Sequence, residues 1–209
     1  IGNGINLGEI FGAYSPLREK YAGSKIILSV GSLKKTKGHD ITLRAFKTIR
    51  EQFNQVILLI IGGGEERENL QGLARELGID QVVEFIPPQP HSKVMEYMSL
   101  CDLFVLPSWN EGFGIVYLEA MAHGKPVIGV KGQGISDVIQ NGINGLLVEP
   151  HDEHDLARAI LGLLNNGNYA LSLGKRARDT VLQDYTWDCI ARKLLDLYRS
   201  LRAGGNAGV

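Results

Sequence analysis

Two carboxylates, Glu111 and Glu119, stand eight residues apart in "SWNEGFGIVYLEAMAHGKPVI", residues 108–128. Glu111 precedes a helix-like run beside Gly112 and Gly114. Glu119 falls about two turns inside it, with Ile115, Val116 and Ala122 at i−4, i−3 and i+3. No other charge lies between residues 112 and 122, so the helix reads as buried all round. An ionised carboxylate in such a place needs strong hydrogen-bond donors. A vicinal diol such as a ribose offers two at the right separation. The plain alternative is that Glu111 caps the helix and Glu119 ends on an exposed edge. Upstream, "GSLKKTKGHD" places Lys34, Lys35 and Lys37 within four residues, closed by Gly38. A lysine run is usually a solvated surface, but this one follows a strand and opens a helix. "GGGEERE" and "SWNEGFGI" also open helices. Helix N-termini present unpaired N–H groups and partial positive charge, and glycines let an anion approach the backbone, so the three loops together read as a diphosphate cradle.

The elements that must hold these loops are legible as well. "KIILSVGS" (25–32), "QVILLIIGGG" (55–64), "QVVEFIP" (81–87), "DLFVLPS" (102–108), "KPVIGV" (125–130) and "NGLLVEP" (144–150) are nearly continuous apolar runs, the pattern of strands covered on both faces. Amphipathic segments at about 39–53, 65–77, 91–100, 113–123, 135–140 and 153–165 alternate with them. Strand, helix, strand at this spacing predicts an open, doubly wound parallel sheet of Rossmann-like type, an α/β fold with ligands at the carboxyl ends of its strands. Two further helices, about 169–183 and 187–202, follow; Trp187, Ile190, Leu194, Leu197 and Leu201 form an apolar stripe on the second, and "RAGGNAGV" reads as a frayed tail.

The whole chain sets outer limits. Its 209 residues suit one sizeable domain, and 22 Lys plus Arg against 23 Asp plus Glu leave a net charge of −1, with no global attraction to nucleic acid or anionic lipid. Any anion site is therefore local. Cys101 and Cys189 have no neighbouring His or Cys at metal-ligand spacing and read as buried thiols of a reducing compartment. His39, His91, His123, His151 and His154 form no ligand motif, and exposed or capping roles are expected; His39, beside Gly38, could face a phosphate. No apolar run approaches the roughly 20 residues that span a bilayer. A soluble, cytoplasmic protein is expected. The "GGGEER" loop has Arg67 where a dinucleotide fingerprint needs its third glycine, which disfavours a nicotinamide cofactor and leaves Gly62–Gly64 to close packing and a tight turn.

These blocks resemble the carboxyl-terminal, nucleotide-sugar-binding domain of glycosyltransferase family 4, of two-domain GT-B architecture. "IGNGIN" resembles the family's linker "PNGVD", "VGSLKKTKG" its "VGRLxxxKG", and "DLFVLPSWNEGFGIVYLEAMAHGKPVI" its E-x7-E signature; "NGINGLLVEPHDEHDLARAI" and "YTW" are typical too. The resemblance implies that residues 1–209 are the donor half of a retaining glycosyltransferase. Such an enzyme moves sugar from a nucleoside-diphosphate sugar to an acceptor hydroxyl without bound metal. Glu119 would hold the ribose hydroxyls. Glu111 would contact the donor sugar, with backbone N–H groups of Gly112, Phe113, Gly114 and Ile115 near sugar and phosphate. Lys37 matches the pyrophosphate lysine, and backbone near Gln89 would read the base. Ser32 departs from the family, standing where it has the second pyrophosphate-binding cation, an arginine. Serine can hydrogen-bond a phosphate without neutralising it, so part of the expected charge compensation is missing unless Lys34 or Lys35 swings in. Asp137 departs as well, where the family often has Glu.

By the same resemblance the start of the chain reads as an interdomain linker. The acceptor, a sugar or lipid, would then be held chiefly by an amino-terminal domain outside this chain, as would any peripheral membrane contact. The isolated piece would bind nucleotide and turn over little. Polysaccharide, glycolipid or lipopolysaccharide assembly is the implied setting. Alternatives are another GT-B enzyme, such as an epimerase or a sucrose or glycogen synthase-like transferase, and a non-catalytic nucleotide-binding or assembly module. A dinucleotide oxidoreductase ranks below these.

Overall fold

A computed structural model describes residues 3–9 and 17–204. Among them six strands, β1 (Lys25–Val30), β2 (Val56–Ile61), β3 (Val83–Ile86), β4 (Leu103–Val105), β5 (Val127–Val130) and β6 (Leu146–Val148), form one parallel sheet in the order β3-β2-β1-β4-β5-β6. The helices are α1 (Leu17–Lys20), α2 (His39–Gln52), α3 (Arg67–Glu76), α4 (His91–Leu100), α5 (Ile115–Ala122), α6 (Glu153–Asn165), α7 (Gly167–Asp184) and α8 (Trp187–Gly204).

Strand residues alternate between two buried layers. Ile26 and Leu28 of β1 join Met95 and Met98 of α4, Leu118 and Met121 of α5 and Val181 of α7. Ile27 points the other way, toward Phe46 and Ile49 of α2, Leu70 of α3 and Leu156 and Ile160 of α6. Both faces are therefore dry. That is why the strands read as continuous apolar runs.

The strand order reverses between β1 and β4, which pair at Ile27↔Leu103 and Leu28↔Phe104. Loops leaving neighbouring strands toward opposite faces open a crevice there, and it is the place where open α/β sheets bind ligands.

Three expectations need amendment. Residues 135–140 do not form an α-helix but a 3-10 turn, Gly134–Asp137, closed by Ser136 Oγ donating to Val130 O at 3.1 Å. Beyond the turn the Asn144 side chain takes backbone groups that a helix would use, donating to Val138 O at 3.1 Å and accepting from Gln140 N at 2.7 Å. The apolar stripe of α8 is buried only at its start, at Ile190, while Trp187 is 53% exposed, Tyr198 65% and Leu201 66%. The helix runs on to Gly204, and the rest of the expected tail lies outside the described residues.

Candidate functional site

The loops after β1 and β4 are sewn together by backbone. Thr36 O accepts from Trp109 N at 3.0 Å and from Ser108 Oγ at 3.1 Å. Gly38 makes the approach possible: its φ is 69°, and a Cβ there would lie 2.3 Å from Pro107 O. No other residue fits. The Gly62–Gly64 turn packs against the same β1 loop, with Gly63 O accepting from Leu33 N at 2.9 Å, in keeping with the packing role expected of it. Arg67, in place of a fingerprint glycine, turns its guanidinium onto Phe85 O at 3.0 Å.

This seam brings Lys37 to Glu111. Nζ donates to Oε2 at 2.6 Å, and the two side chains are 19% and 16% exposed. A third loop, after β5, steadies the acid's backbone: Gly134 N donates to Glu111 O at 3.1 Å, and Glu111 N to Gln133 Oε1 at 3.4 Å. Gln133 carried no sequence signal, because its contact depends on how two strand ends are juxtaposed.

Helix α5 starts at Gly114, whose φ of 77° turns the chain into it. Tyr117 anchors the helix to β4. Its hydroxyl donates to Leu106 O, and its ring meets Phe104 edge-on at 5.4 Å. Burial, with a smaller push from Glu111, raises the phenol's pKa above its ordinary value and keeps the hydroxyl a donor.

Glu119 lies on the same helix, one turn beyond Ile115. The helix is not buried all round: Ile115 is 44% exposed, and the Glu119 side chain 14%. The apolar stripe of so short a helix leaves one edge open, and the acid sits on that edge. Its Oε1 accepts from His91 Nε2 at 2.7 Å. A scaffold histidine, half exposed at the first turn of α4, thus engages the carboxylate. A cavity of about 320 Å³ adjoins the pair, lined also by Ile5, Asn6, Ile115 and Trp187.

The remaining expected residues take varied positions. Gly112 is exposed, and half-buried Phe113 packs on Tyr185 with ring centroids 6.1 Å apart. Gln89 turns its amide back onto Pro87 O at 3.0 Å and Pro88 O at 3.3 Å. Ser32 is half-buried. Lys34 and Lys35 line a different cavity, of about 400 Å³, with Glu66, Trp109 and His151. His39 does not look out of the site. It is 1% exposed, lies beneath the β1 loop with Nδ1 3.3 Å from Ser29 Oγ, and its Nε2 makes no hydrogen bond. Burial drops its pKa from 6.5 to about 4, the Ser32 backbone offsetting part of the effect and Lys37 adding to it.

Cys101 and Cys189 are free and buried, and burial pushes the Cys101 thiol up to about 12. Among the described residues no three His, Cys, Asp or Glu side chains are placed to hold a metal ion, and no helix is long and apolar enough to cross a membrane.

The crevice therefore offers a lysine–carboxylate pair, a helix start and a second carboxylate on one rim. The sequence profile of the glycosyl transferases group 1 matches residues 15–180. The chain belongs to that family. This group 1 glycosyl transferase chain is 34% identical over 192 residues to a D-inositol 3-phosphate glycosyltransferase of Corynebacterium jeikeium, a match covering 88% of this chain and 46% of the relative. It superposes on sucrose-phosphate synthase from Thermosynechococcus elongatus with a TM-score of 0.84 at 32% identity, over 97% of this chain and 52% of that one. HepE of Anabaena, solved with UDP and glucose, gives 0.84 at 24% identity over 94% and 55%, a likeness of fold. The chain spans about half the length of the relatives it matches.

Proposed function

We propose that this chain is the donor-binding half of a retaining glycosyltransferase of family 4, moving sugar from a nucleoside-diphosphate sugar to an acceptor hydroxyl. Glu119 takes the ribose hydroxyls. Lys37 and the N–H groups of Gly112–Ile115 take the diphosphate. Glu111 faces the donor sugar once Lys37 turns to the phosphates. Backbone near Gln89 reads the base. The work of this half is to stabilise the departing nucleoside diphosphate while the sugar gains oxocarbenium character. Lys37 and the start of α5 supply the positive field, and no metal ion is expected. The acceptor, a sugar or lipid, is held mainly by the rest of a longer protein, in polysaccharide, glycolipid or lipopolysaccharide assembly. A cytoplasmic setting suits the free thiols Cys101 and Cys189.

One observation carries this reading: in a member of this family, Lys37, Glu111 and the start of α5 converge at the carboxyl ends of β1 and β4, with Glu119 on the same helix. Thermal-shift screening against UDP-, GDP- and ADP-sugars tests it. One nucleotide series is expected to raise the melting temperature in a saturable way, and no shift with any of them removes the proposal. Ser32, which leaves the diphosphate one cation short, favours a second reading, a binding module without turnover. Absence of transfer and hydrolysis in the complete protein, with binding retained, decides for that one.

A further inference from the structure

We infer that His91 is a positioning residue for the nucleoside end of the donor, and that through Glu119 it makes the site select ribonucleotides. The inference rests on the reading that Glu119 takes the ribose diol.

Glu119 is the end of a flexible side chain on the open edge of α5. A carboxylate that must meet two hydroxyls at once works best when its rotation is already fixed, because the ordering cost is then met before the ligand arrives. His91 fixes it. Against an ionised carboxylate the imidazole Nε2–H donates, and the 2.7 Å separation is that of a charge-assisted hydrogen bond. The donor is itself well held: His91 opens α4 directly after Pro90, and α4 packs on α5 through buried Met95, Met98, Leu118 and Met121. A rigid helix thus carries the group that orients the acid of its neighbour. A carboxylate accepts up to about four hydrogen bonds, so a bond from His91 to Oε1 is compatible with a diol on the same group. The pair sits on the wall of the 320 Å³ cavity, where a nucleoside would arrive.

The test is calorimetric titration of the wild-type chain, His91→Ala and His91→Gln with a nucleoside diphosphate (UDP, GDP or ADP, whichever series binds) and with its 2′,3′-dideoxy counterpart. The wild type is expected to prefer the ribonucleotide. His91→Ala is expected to weaken the ribonucleotide about tenfold while the dideoxy compound stays within about twofold. His91→Gln, whose amide can donate to the carboxylate, recovers most of the preference. The side chain is 48% exposed, so both variants are expected to fold, and their melting temperatures check it. If the wild type discriminates and His91→Ala changes nothing, or weakens both nucleotides equally, the inference fails while the assignment of Glu119 stands. If the wild type does not tell the two nucleotides apart, both fall.

Discussion

The two acids of the E-x7-E block occupy different physical settings, although they are eight residues apart. Glu111 lies in a loop and meets a lysine from another strand's loop, both side chains less than a fifth exposed. Glu119 lies on a helix and meets a histidine that is half exposed. The first pair is an ion pair shielded from water on most sides, whose cation on the proposed function turns to the diphosphate. The second is an acid hydrogen-bonded to a histidine on the neighbouring helix. On the proposed function, Glu111 is the counter-ion that holds Lys37 until a diphosphate takes it, and Glu119 is a fixed clamp.

The largest expected effect breaks the clamp. Glu119→Ala is predicted to lower nucleoside-diphosphate affinity by about 3 kcal/mol, the upper end for hydrogen bonds to a charged group. Folding stability should change by less than ~1 kcal/mol, because a side-chain pair with one half-exposed partner contributes little. Calorimetry and urea denaturation measure the two quantities. Lys37→Ala is predicted to cost about 1–3 kcal/mol of the same affinity. Unlike the clamp variant, it should also destabilise the domain, since Glu111 is left poorly solvated without its cation.

The third prediction concerns the support beneath Lys37. His39 is buried uncharged, its pKa lowered from 6.5 to about 4. The folded state takes up a proton less readily than the unfolded chain, so its contribution is fully present above pH 6.5 and is lost as pH falls toward 4. The loss amounts to about 3 kcal/mol. Denaturation curves at stepped pH are expected to show a smaller loss over that window in His39→Leu than in the wild type. The smallest effect belongs to the support beneath Glu119. Tyr117→Phe removes one of the two donors to Leu106 O, which keeps Ser108 N, and is predicted to cost about 0.5–1.5 kcal/mol of stability. It should lower nucleotide affinity less than Glu119→Ala does.

Much of the sheet was legible because both its faces are covered: continuous apolar runs such as "VILLII" mark β2 to within a residue or two. The turn at Gly134–Asp137 reads as a helix because Ile135 and Val138 mimic helical spacing, and what ends it is the Asn144 side chain, which bonds Val138 O and Gln140 N from outside the segment. Lys37 and Glu111 were each readable as chemistry-bearing residues. Their direct pairing was not, because it depends on β1 and β4 lying side by side. His91 was passed over for a related reason: it stands 28 residues before Glu119, and only the packing of α4 on α5 makes them neighbours. His39 misled in the opposite direction, since its place beside Gly38 says nothing about which way the first turn of α2 faces.

The central claim is tested most directly by a crystal structure of the chain with the nucleoside diphosphate that stabilises it. The account predicts ribose hydroxyls within hydrogen-bond distance of the Glu119 carboxylate, His91 still on Oε1, and Lys37 moved from Glu111 to the diphosphate. A diphosphate lodged in the cavity of Lys34, Lys35 and Trp109, with Lys37 still on Glu111, contradicts it.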